Sequence, residues 1–210
     1  MSIINYATKE IQFKIVYYGP ALCGKTTNLQ YIHSQINPDN KGDLVSLATA
    51  ADRTLFFDFL PLNAMVIKGF KTKFQLYTVP GQVIYNATRQ LVLRSVDGII
   101  LVADSQWEKM EENVESIKNL RDNLIKQNMN LDDIPWVIQY NKRDLPNVAP
   151  VELLDYTLNN GKVKVPTFEV ISTTGQNVFA ALNCVSQLLL QKFTKENTGG
   201  QKAAATPQVV

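Results

Sequence analysis

Cysteine is scarce in this chain: Cys23 and Cys184 are the only two in 210 residues, and no metal-ligand spacing relates them. That argues against a disulfide framework or a cysteine-built metal site, and both side chains read as reduced thiols of a cytosolic protein. A single histidine, His33, leaves no histidine-dependent mechanism. The two tryptophans, Trp107 and Trp136, are expected in or near the core. No segment approaches the roughly 20 apolar residues of a membrane span. The N-terminal "MSIINYATKEIQFK" carries Lys9, Glu10 and Lys14 and lacks a small-residue cleavage site after an apolar run, so no secretory signal is expected. Ser2 excludes N-myristoylation, and a C-terminus of valines offers no cysteine for prenylation, so no lipid anchor is expected. The net charge of +2 comes from scattered Lys and Arg without a basic run. Nucleic acid is therefore not an expected partner.

What is present is apolar and periodic. A hydrophobic content of 45% can build one sizeable core. Strand-like stretches occur at "IQFKIVYYG" (11–19), on either side of Pro61, and at "KFQLYTVP". "GIILVAD" (98–104), "IPWVIQYN" (134–141) and "VPTFEVIS" (165–172) read as strands buried on both faces of a parallel sheet. Between them, Met110, Val114, Ile117, Leu120 and Leu124 form one helical stripe, with Ser105 and Glu108 as its capping box. Val178, Leu182, Val185 and Leu189 form another. Alternating strands and helices predict an α/β fold: a mostly parallel central sheet with helices on both faces. The domain is expected over residues 1–193, with a mobile polar tail over 194–210. Pro61 removes a ladder donor, which predicts an edge or interrupted strand whose register can shift.

The chemistry is concentrated in "GPALCGKTTN" (19–28). Taken alone, GxxxxGKT can occur by chance. Here a strand ends at Gly19 and a helix begins at Lys25, the context a phosphate loop requires. Backbone N–H groups from Ala21, Leu22 and Cys23 through Lys25, Thr26 and Thr27 would converge on an anion at the helix N-terminus. Gly19 and Gly24 permit the loop, Lys25 would reach the β- and γ-phosphates, and the Thr26 hydroxyl would bind Mg²⁺.

The base is read further along. "NKRD" follows a strand at the carboxyl edge of the sheet, where open α/β folds bind ligands. Asp144 offers two carboxylate oxygens to the adjacent N1–H and amino donors of guanine, a pair adenine lacks. Lys142 can cover the base with its stem, Asn141 can brace the loop, and Ser172–Thr173 can present an N–H to guanine O6. Each tetrapeptide alone is an ordinary solvated loop; in this order behind a phosphate loop they are jointly specific.

With these motifs the first ~190 residues resemble the Ras-like small GTPases, the size of one such domain. "TVPGQ" (78–82), "DRTLFFDFLPL" (52–62) and "GPALCGKTTNLQ" are similar to the MglA group of bacterial polarity GTPases. The resemblance implies a cytoplasmic GTP/GDP switch that concentrates at a cell pole, directs polarity or motility through GTP-dependent effectors, and is stimulated by a Roadblock-fold, MglB-like activator. It also implies that Gln82 orients the attacking water, Gly81 gives its N–H to the γ-phosphate, Arg53 is an intrinsic arginine finger, and Thr54 is a second Mg²⁺ ligand. Two departures stand out. Thr78 replaces the usual acidic residue near the metal, leaving Asp52 or Asp58 to compensate. Ala21 adds a methyl group beside the γ-phosphate, which should slow hydrolysis. A slowly hydrolysing GTP-bound scaffold is thus the alternative, and "NKRD" speaks against an adenine-nucleotide kinase.

Overall fold

A computed structural model describes residues 3–46, 58–67, 69–161 and 163–198. The strands are β1 (Ile3–Asn5), β2 (Glu10–Tyr18), β3 (Val45–Ser46), β4 (Asp58–Ile67), β5 (Phe70–Thr78), β6 (Gly98–Asp104), β7 (Trp136–Asn141) and β8 (Thr167–Glu169). The helices are α1 (Lys25–Gln35), α2 (Asn86–Leu93), α3 (Met110–Ile125), α4 (Val151–Leu158) and α5 (Val178–Thr198). One sheet runs β3-β4-β5-β2-β6-β7-β8, with β1 paired to β2. The centre is parallel, from β5 through β2, β6 and β7 to β8, while β3, β4 and β1 pair antiparallel.

Strand alternation divides the apolar side chains between two layers. Ile11, Phe13, Ile15 and Tyr17 of β2 face one way, with Ile100 and Val102 of β6, and pack against α1 and α5. Val16, Tyr18, Ile99, Leu101 and Ala103 face the other way, against α2, α3 and α4. Every residue of β6 and β7 is buried, as their continuous apolar composition predicts for a doubly covered strand. At roughly 1.5–3 kcal/mol for each large aliphatic side chain removed from water, this is the main stabilising contribution.

Several expectations change. β8 is a short margin strand, only Thr167–Glu169, and is not buried on both faces because it pairs with β7 alone. In α3, Ile117, Leu120 and Leu124 are buried, but Val114 is 41% exposed, so the stripe is narrower than its spacing suggests. The capping box does not form. A 3₁₀ turn over Trp107–Lys109 precedes α3, the Ser105 hydroxyl is buried without a partner, and Asp104 Oδ1 takes the Gln106 N–H at 3.1 Å instead. Glu108 accepts from Gln106 and Asn147 side chains. Trp107 is 47% exposed, whereas Trp136 is buried.

Helix α5 continues to Thr198, past the expected boundary at residue 193. The Phe193 ring meets Phe13 edge-on at 5.5 Å, and Lys192 pairs with Glu196 at 3.8 Å, which extends the packed helix. Pro61 sits within β4 opposite Gln75. Its carbonyl accepts the Gly42 N–H at 3.0 Å, so its missing donor faces outward and leaves the β5 ladder intact. The register of β4 against β5 shifts between Asn63 and Val66.

Candidate functional site

The phosphate loop leads from the end of β2 into α1 as a sharp turn. Gly24 caps α1 at φ 103°, a conformation L side chains rarely adopt, and a Cβ there would lie 2.2 Å from Asn141 Nδ2. The first helical hydrogen bond runs from the Asn28 N–H to the Gly24 carbonyl, at 3.0 Å. The amides of Lys25, Thr26 and Thr27 therefore have no helical acceptor. No side chain caps this terminus, and its first turn carries no acidic residue. The positive end of the helix dipole is left open for an anion.

Lys25 points the same way. It is buried, and its ammonium donates to the carbonyls of Gly19 (2.9 Å) and Pro20 (2.6 Å). Burial pushes its pKa below the usual lysine range, so an incoming anion would relieve the strain of a desolvated cation. Burial raises the pKa of the neighbouring Cys23 thiol, which keeps it protonated and unreactive. Leu22 is largely exposed at φ 60°.

A cavity of about 440 Å³ opens over this terminus, lined by Ala21, Leu22, Gly24, Lys25, Thr26, Thr27, Ser46, Asp58, Thr78, Gly81 and Gln82, among others. At its side, buried Asp58 accepts from the Thr26 hydroxyl (2.6 Å), the Thr78 hydroxyl (2.8 Å) and the Ser46 hydroxyl (2.6 Å). A carboxylate only accepts, so all three hydroxyls donate to it. Thr26 thereby keeps its oxygen lone pairs for another partner. Thr78 in turn accepts the Asp58 N–H at 2.8 Å, which locks the two strands together. Asp58, one of the two aspartates left open by the sequence, lies beside Thr26. Asp52, Arg53 and Thr54 lie outside the described residues.

The second half of the site joins three loops through one side chain. Asn141 Nδ2 donates to the Cys23 carbonyl (2.7 Å) and to Ser172 Oγ (3.0 Å), and its Oδ1 accepts the Ser172 N–H (3.0 Å). Lys142 takes φ 67° and sends its ammonium 2.5 Å from the fully buried carboxylate of Asp104. Asp144 and Thr173 are exposed beside it. Gln82 is exposed and also borders a second cavity of about 240 Å³ against α3.

The phosphate-type and base-type motifs thus meet at one edge of the sheet. The ADP-ribosylation factor family matches residues 1–189. The mutual gliding-motility protein MglA of Myxococcus xanthus is 56% identical over 195 residues, covering 93% of this chain and 99% of that protein. The Ras-related protein Rab-27B of Homo sapiens is 25% identical over 182 residues, covering 86% of this chain and 80% of that protein. The chain belongs to the MglA-type Ras-like small GTPases. It binds guanine nucleotide and hydrolyses GTP.

Sequence reasoning did not foresee Ser46 or Asp104 as members of this framework. Asp104 was signalled: a lone carboxylate closing an apolar strand at a ligand-binding edge. Ser46 lies on a two-residue strand with no periodic signature. Among the described residues no helix is long and apolar enough to cross a membrane.

Proposed function

We propose that this chain is a Mg²⁺-dependent GTP/GDP switch for cell polarity or gliding motility, stimulated by a Roadblock-fold activator and concentrated at a pole of a bacterial cell. The observation that carries the reading is the uncapped α1 terminus flanked by buried Lys25 and by Thr26 held on Asp58, in a chain this similar to a gliding-motility protein. In this reading the amides of residues 21–27 and Lys25 hold the phosphates, Asp144 selects guanine, and Ser172 and Thr173 supply the O6 contact. Gln82 and Arg53 serve hydrolysis. Single-turnover hydrolysis, with and without a Roadblock-fold activator and with ATP as competitor, tests it. Stimulated GTP turnover that ATP does not inhibit is expected; an activator without effect would sink the regulatory half.

The residues fit magnesium. Mg²⁺ is held by one or two protein groups plus substrate phosphates, not by an all-protein cage. Among the described residues no group of three or more His, Cys, Asp or Glu gathers. Thr26 would be the protein ligand from the phosphate loop and Thr54 the one from the segment before β4, with Asp58 supplying the negative charge that Thr78 does not. When bound, the ion neutralises charge on the β- and γ-phosphates.

This division of labour between Asp58 and Thr78 is testable. Asp58→Asn should raise the Mg²⁺ concentration needed to retain bound GDP by about 10–100-fold, the usual cost of losing an outer-shell partner. Thr78→Asp alone should also weaken retention, since a second carboxylate would face Asp58 across the present 2.8 Å hydrogen bond. Exchanging both, Asp58→Thr with Thr78→Asp, should recover much of the loss. Release of fluorescent GDP across a Mg²⁺ titration reads all three, and an unchanged Mg²⁺ dependence in Asp58→Asn removes Asp58 from this role.

A further inference from the structure

Arg89 lies on α2 yet is 2% exposed, among the largest fully buried side chains in the protein. A buried guanidinium is costly unless its donors are met. Among the described residues no carboxylate forms an ion pair with it; neutral groups do the work. Nε donates to the Pro80 carbonyl at 2.8 Å, Nη2 to the Gly81 carbonyl, and Nη1 to Asn119 Oδ1 at 2.7 Å. The guanidinium also sits 5.6 Å over the Tyr18 ring. Asn119 is itself fixed, accepting from the Tyr18 hydroxyl (2.5 Å) and donating to Asn86 (3.1 Å).

Among the described residues, few other hydrogen bonds hold the loop that Arg89 grips. Val79 donates to the Tyr17 carbonyl at 3.3 Å and Pro80 has no N–H. We infer that Arg89 is the positioning residue of the phosphate-sensing loop: it fixes the Pro80 and Gly81 peptide planes so that the Gly81 N–H faces the terminal phosphate of GTP. The inference rests on the proposed role of Gly81.

A peptide unit is planar and trans, so its C=O and N–H point in opposite directions. With the Pro80 carbonyl turned to Arg89, the Gly81 N–H is turned away from α2. Gly81 lines the same cavity as Lys25 and Thr26. It also packs on the phosphate loop so closely that a Cβ would fall 2.3 Å from the Ala21 Cα. The loop is thus pinned between Arg89 behind and Ala21 in front. Lysine cannot replace this grip, because a compact ammonium does not span two carbonyls and an amide as a planar fork does.

The clamp acts on the terminal phosphate alone, so it should change the preference between GTP and GDP, not nucleotide binding in general. Arg89→Lys and Arg89→Met should each lower affinity for a non-hydrolysable GTP analogue by about tenfold, the scale of one charge-assisted hydrogen bond, and leave GDP affinity within about twofold. Arg89→Lys keeps the test available where Arg89→Met fails to fold. Asn119→Ala is the structural control: it loosens the same network and should lower Tm while keeping the analogue-to-GDP ratio. Equilibrium titration with both fluorescent nucleotides, alongside thermal melts, gives these values. Equal losses for both nucleotides in Arg89→Lys, or an unchanged ratio, would overturn the clamp. A wild-type chain that binds GDP but not the analogue would instead overturn the proposed role of Gly81, and the clamp with it.

Discussion

Asp144→Asn is expected to turn a guanine site into a xanthine site. In the proposed role the carboxylate presents two acceptors to the two neighbouring donors of guanine; the amide would replace one acceptor with an N–H facing the guanine amino group. A site built around such a pair discriminates by on the order of 10⁴. A comparable fall in GTP affinity should therefore accompany a gain for xanthosine triphosphate, whose C2 carbonyl accepts from the new amide while N1–H still donates. The frame around Asp144 does not depend on its charge. The loop is held by Asn141 on Cys23 and Ser172, by Lys142 on Asp104, and by the Leu145 N–H on the Lys142 carbonyl at 3.2 Å. The substitution should leave folding and the phosphate cavity intact. Parallel titrations with the two triphosphates decide it, and an unchanged preference for guanine would take Asp144 out of the site.

That frame shows which parts of the molecule could be read from the chain. β6 begins and ends where its apolar run does, because a strand covered on both faces has no polar position to blur the boundary. The phosphate loop was equally legible, since its glycines and Lys25 are needed by the turn and the anion wherever the fold occurs. Contacts between distant segments were not. Ser105 and Glu108 have the spacing of a capping box, but the Asp104 side chain reaches the next turn first. Val114 keeps the helical period and is still exposed, because periodicity says which side a residue faces and not how far the neighbouring layer extends. Asp58 and Asp52 were equivalent on paper; only the pairing of β4 with β5 brings Asp58 against Thr78 and Thr26. Arg89 was illegible for a related reason. An arginine on a short amphipathic helix ordinarily reaches solvent, and nothing local announces that two carbonyls and an asparagine will receive it.

The loss of stimulated hydrolysis in Gln82→Leu and in Arg53→Ala should be the largest effect on turnover. An arginine at the transferring phosphate contributes roughly 10³–10⁵ in rate, and leucine at position 82 can no longer orient a water. In their proposed roles both groups act on the transition state, so affinities for GTP and GDP should stay nearly constant while activator-stimulated single-turnover rates collapse. In the proposed scheme, the setting of Gln82 gives an activator its task. Its side chain is exposed and borders two cavities, the phosphate site and the smaller one against α3, while Arg89 holds the backbone before it. An exposed side chain that no contact fixes would spend only part of its time in the catalytic orientation, and a partner that covers the α3 side would raise that fraction. The partner must then bind the GTP state more tightly than the GDP state, because only differential affinity can shift the equilibrium. Hydrolysis measured at saturating activator separates the outcomes. Normal stimulated turnover in Arg53→Ala would mean that the arginine comes from elsewhere, and normal turnover in Gln82→Leu would mean that another group positions the water.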